Sequence, residues 1–141
     1  MIHIASFDDT IVAAVEKVMP SVVNVSDVKL IQDTYMHVHP VQVVGSGIII
    51  HPDGHIMTNA HVVLGADEIQ VTLQDGRTSR AEVRGIDTMT DIAVIHVDYH
   101  DLPVPEMAKG AEVKVGQTAC DGNAFRACWR ADGHGRHSER P

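Results

Sequence analysis

Apolar residues at Ile11, Ala14, Val15 and Val18 recur at the spacing of one helical face, and Asp8, Asp9 and Thr10 ahead of them supply N-cap chemistry. Pro20 ends that element. From Ser21 the period changes to two. Val23 and Val25 lie on one face and Val22 and Asn24 on the other, which predicts a strand over 21–30. Residues 32–40, with Tyr35, His37 and His39, read as a loop or strand end. Gly45-Ser46-Gly47 suits a turn or a close backbone approach, and Ile48, Ile49 and Ile50 form a β-branched strand run. His51-Pro52-Asp53-Gly54 is a hairpin signal with Gly54 free to take a positive φ. A second short strand, His55 to Met57, runs into Thr58-Asn59-Ala60-His61. Alternation returns over 66–73, a turn follows at Gln74 to Arg77, and alternation resumes over 78–84. Gly85 is expected to break that strand. Residues 92–97 form another, Leu102 to Pro105 an extended connector, and 111–115 a last strand candidate. Many short strands behind one helix predict an all-β fold, an antiparallel β-barrel with an N-terminal helix.

The length of 141 residues suits one domain with a modest core. A net charge of −8 argues against sequence-independent nucleic-acid binding, which needs a basic surface. No apolar window reaches the length of a membrane-spanning helix, so neither nucleic acid nor membrane is an expected partner. The start, Met1 to Asp9, lacks a basic region and a sustained apolar run. The expectation from that is a cytoplasmic chain, or an exported, periplasmic one if an upstream segment was lost. Cys120 and Cys128 are not spaced as a redox pair and are expected to be reduced.

His61, just past a strand end among small residues, is well placed to act as a base. T-N-A-H-V-V at 58–63 follows G-S-G-I-I at 45–49 and the Asp-Gly hairpin, and G-I-D-T-M-T-D-I-A-V follows at 85–94. These segments resemble the catalytic-histidine and catalytic-aspartate segments of the HtrA-like (DegP-type) serine proteases, of the chymotrypsin-like class. The likeness covers about residues 7–125. It implies the first barrel of a double barrel, with His61 and Asp91 as catalytic residues, and with Asp87 read as a turn residue. Chain order His, Asp, Ser marks this class.

In that family the serine lies in a G-N-S-G-G segment on the second barrel, and this sequence contains none. Ser46, Ser79 and Ser138 do not replace it. The resemblance therefore implies a truncated endopeptidase with an incomplete triad, inactive alone. Intact relatives cleave unfolded polypeptides, usually as trimer-based oligomers with a PDZ domain. No cofactor is expected. An exposed inter-barrel face would favour self-association or pairing with an intact relative. The runner-up is a non-catalytic binding or interaction module on the same barrel. A third reading starts from ten histidines, but no spacing among them has the definition of a zinc site, and no metal is expected.

After Gly122-Asn123-Ala124-Phe125, which resembles the family's G-N-P-F, the composition breaks. Arg126 to Pro141 has no Val, Ile, Leu, Met or Phe and carries four of the eleven basic residues. Read one nucleotide forward, the codons permit G-L-A-G-G-Q-T-V-T-V-G-I-V-S-A, close to the family's own continuation. The expectation is a frameshifted tail over 126–141, with a polar disordered terminus as the alternative.

Overall fold

The computed structural model describes residues 6–108, 110 and 113–119. Helix α1 (Phe7–Val18) leads through a short 3-10 turn into β1 (Val22–Gln32), β2 (Val38–Ile49) and β3 (His55–Asn59). A single helical turn, α2 (Ala60–Val63), precedes β4 (Glu68–Thr72), β5 (Thr78–Asp87) and β6 (Ile92–Val97). The strands close into one antiparallel barrel in the order β1-β2-β3-β6-β5-β4, β4 pairing back onto β1. Closure leaves the sheet without a free edge, as the expected fold class requires.

Period-two alternation decides what fills the barrel. Val25, Ile56, Val71, Ile95 and Val97 are fully buried, one or two from each of four strands, and Ile49 joins them from β2. Gly47 is needed in that wall. A Cβ there would sit 2.7 Å from Ile56 Cγ2 and 3.1 Å from the side chains of Val23 and Val25. The glycine that reads as a turn signal is thus an in-strand position that lets β1, β2 and β3 close together.

Other departures from the sequence reading have local causes. Ser6, not the Asp8–Thr10 cluster, caps α1: its hydroxyl accepts from the Asp9 N–H at 3.1 Å while the Asp9 carboxylate accepts from the Ser6 N–H at 3.2 Å. Segment 38–44 is strand, because eleven successive pairs from Val22↔Ile48 to Gln32↔Val38 zip β1 and β2 into one long hairpin. Gly85 does not end β5; a bulge between Val83 and Gly85 absorbs it and the strand runs to Asp87. In the 111–115 candidate, residues 113–115 are not strand and 111–112 lie outside the described residues. So do Cys120, Cys128 and the whole 126–141 tail.

One inward position on β1 is a carboxylate. Asp27 is fully buried, neither oxygen has a hydrogen-bond partner among the described residues, and the Lys29 ammonium lies 3.6 Å away. Burial raises its pKa, and Lys29 opposes that only in part. Folded Asp27 therefore holds a proton more tightly than the unfolded chain, whose value is near 3.8. Its contribution to stability rises as pH falls through the raised value and levels off below the unfolded one. Urea unfolding over a pH series checks this: wild type should gain stability relative to Asp27→Asn on going from neutral toward about pH 4.

Candidate active site

Strand β3 ends at Asn59, and α2 turns the chain so that His61 stands on its first turn, beyond the barrel wall. Ala60, Val62 and Val63 on the same turn are buried and anchor it. Across β3 and β6 the register pairs Asn59 with Ile92, so the residue before β6, Asp91, arrives beside the start of α2. Sequence positions thirty apart are brought together by that one pairing.

Every polar group at this junction converges on Asp91. One carboxylate oxygen accepts the His61 backbone N–H at 2.9 Å, and the other lies 2.7 Å from His61 Nδ1. The Asp91 carbonyl accepts the Ala60 N–H at 3.1 Å and the Asn59 amide at 3.2 Å, and that amide also reaches the carboxylate at 3.3 Å. Asp91 takes φ +57, a left-handed conformation that aspartate tolerates better than most residues and that still costs energy. The bonds from the 59–61 backbone and side chains hold it there. Asp87, the competing carboxylate, accepts the Met89 N–H at 3.0 Å and so builds the turn ahead of the site.

The electrostatics follow from these bonds. The His61 backbone N–H first, and then its ring, hold the Asp91 carboxyl below its ordinary value of 3.8. With Nδ1–H donating to the carboxylate, Nε2 keeps its lone pair, and it has no partner among the described residues. The His61 side chain is 69% exposed, so that nitrogen is open to an incoming proton donor. Because the folded value of Asp91 is depressed, its contribution to stability is present above 3.8 and is lost as pH falls through the lower folded value. A carbon-detected NMR titration should place the Asp91 midpoint below 3.8, and His61→Ala should move it upward.

The pairing can orient a base and stabilise its protonated form, while several serines are engaged or placed elsewhere. Ser79 bonds the Arg80 carbonyl, Ser26 the Gln70 carbonyl, and Ser138 lies outside the described residues. Ser46 belongs to β2, where its carbonyl accepts the Thr58 hydroxyl at 2.8 Å. The role of Asn59 is not visible from composition or periodicity; its place directly before Ala-His was the one available signal.

The segment that carries this pair has counterparts among known proteins. The profile of the trypsin-like peptidase domain matches residues 45–125, more than half of the chain. A Halomonas elongata protein named "Probable periplasmic serine endoprotease DegP-like" is 55% identical over 82 residues, 57% of this chain and 17% of the relative. A protein of the same name from Hahella chejuensis is 50% identical over 76 residues, 54% of this chain and 16% of the relative. Among solved structures, the HtrA-type protease AlgW with a decapeptide superposes with a TM-score of 0.69 at 28% identity, over 74% of this chain and 37% of that one. The same protease with a tripeptide gives 0.63 at 33% identity, over 73% and 31%. The chain thus spans about a sixth of the length of the curated relatives it matches.

Proposed function

The chain belongs to the trypsin-like peptidase domain family, in its DegP/HtrA-type form, and on that premise we propose that it supplies the base and its orienting carboxylate for a serine endopeptidase. His61 Nε2 takes the proton of a serine hydroxyl as it attacks a peptide carbonyl, then returns it to the leaving amine. Asp91 holds the Nδ1–H tautomer and stabilises the imidazolium formed between those steps. The observation that carries this reading is the two-point grip of Asp91 on the ring and backbone of His61. A binding module on the same barrel gives no reason for a strained aspartate oriented on an exposed imidazole.

The serine, oxyanion donors and specificity pocket belong to polypeptide outside these 141 residues, whose sequence has no G-N-S-G-G. The chain alone is therefore inactive, and residues 7–125 act as the first of two barrels, with 126–141 outside the barrel domain. Leu64, Met89 and Ile92, exposed on the segments flanking the pair, suit a surface that a second barrel covers. Substrates are polypeptides, a reading supported by the peptides named with the AlgW structures. The relatives' names favour a periplasmic setting, so the cytoplasmic expectation drawn from the N-terminal residues is not carried forward. The test is a graft of residues 45–119 into the Halomonas relative in place of the matching segment. Cleavage of unfolded casein by the graft, with none by the 141-residue chain, supports the reading; a folded graft that does not cleave contradicts it.

A further inference from the structure

We propose that the β2–β3 turn holds a divalent first-row transition-metal ion of the zinc type through His51, Asp53 and His55. The three donor atoms lie within 4.8 Å of one another. His51 Nδ1 is 2.9 Å and His55 Nδ1 2.5 Å from the same carboxylate oxygen, Asp53 Oδ1. Two imidazole nitrogens and one carboxylate oxygen form a donor set that zinc takes at about 2.0–2.2 Å, with the remaining position left to solvent. Tetrahedral bonds of that length put donors about 3.3 Å apart, so the pairs now sharing protons open by less than about 1 Å to admit the ion.

The turn that carries these donors is fixed from several sides. Gly54 N–H bonds the His51 carbonyl at 3.2 Å, Ile50 N–H the His55 carbonyl at 2.9 Å, and Val97 N–H the Gly54 carbonyl at 3.0 Å. His96, paired with His55 across β3 and β6, has its ring 4.8 Å from the His55 ring and its Nε2 3.0 Å from the Asp53 carbonyl. That contact makes His96 a brace for the turn rather than a fourth donor. His51 and Asp53 are well exposed, so the ion reaches the site without unfolding. The turn lies at the opposite end of β3 from His61, which keeps the ion away from the catalytic pair.

A second cluster, Asp33, His37 and His39, is the internal control. Asp53 accepts one backbone N–H, from His55 at 3.3 Å, whereas one Asp33 oxygen accepts two, from Tyr35 and His37 at 2.8 and 2.9 Å, and the other lies 2.8 Å from His39 Nε2, so that group staples its own loop more tightly. Zinc chloride titrated by calorimetry into the full 141-residue chain should show one saturable equivalent with a dissociation constant below about 100 µM. His51→Ala and His55→Gln should each weaken it about tenfold or more, and Asp33→Asn with His39→Gln should leave it unchanged. If His55→Gln does not fold, the exposed His51→Ala decides alone. Absence of saturable uptake, uptake that survives the His51 change, or uptake lost with the Asp33 and His39 changes overturns the proposal.

Discussion

In the grafted endopeptidase, His61→Ala is expected to lower kcat/KM by about a million-fold, to the level left by substrate binding and the oxyanion donors alone. Asp91→Asn should cost about ten-thousand-fold, because the ring survives but its tautomer is no longer held. The two changes together should cost no more than His61→Ala, since the carboxylate acts only through the imidazole. In Asp91→Asn the amide oxygen can still accept the His61 backbone N–H, which now bonds one carboxylate oxygen at 2.9 Å, so the loss falls on the contact with His61 Nδ1. A structural role alone would lower folded yield and leave kcat per folded molecule unchanged. The folded fraction of each graft, read by circular dichroism beside its kcat, separates those two outcomes.

Gly54→Val is expected to destabilise the barrel by about 3 kcal/mol or more, with a fall in Tm of about 10 °C. Gly54 takes φ +107, a region closed to β-branched residues, and any Cβ there would run into the Val97 carbonyl. Relief by moving Val97 would break its own N–H bond to the Gly54 carbonyl, which ties the β2–β3 turn to β6. Because β3 and β6 together position Asn59 and Asp91, the damage reaches the His61–Asp91 junction as well. Thermal unfolding followed by circular dichroism reads the magnitude. By contrast Gly76→Ala, in the β4–β5 turn with φ +93 and no neighbour within 4 Å of a new Cβ, carries backbone strain alone and should cost less.

How much of this was legible beforehand depended on the range of the forces involved. Strands with alternating burial, such as Ile92–Val97 and Glu68–Thr72 within the expected 66–73, and the Asp-Gly and Asp-Gly-Arg turns, announce themselves locally. Segment 38–44 does not, because its strand state comes from pairing with β1 rather than from its own mixed pattern. Gly85 reads as a breaker, yet it pairs with Val94 of β6 just past a bulge at Arg84, and the strand continues. Asp27 is in phase with Val23 and Val25, so its inward position could have been read; its lack of partners could not. His61 and Asp91 were identified through family motifs, and their meeting depends on the β3–β6 register, a non-local fact. The histidine spacing shows no zinc site in the sequence, and His51, Asp53 and His55 meet only because a tight turn, unlike a helix, brings alternate residues to one point.

The tautomer of His61 is the most direct measure of whether this imidazole is set up as a base. Nitrogen-15 NMR of the ring in the 141-residue chain, at about pH 8, reads it without any need for turnover. A proton fixed on Nδ1 and a bare Nε2, changing to a mixture of tautomers in Asp91→Asn, is the predicted result. A ring protonated on Nε2, or one indifferent to Asp91→Asn, would contradict it.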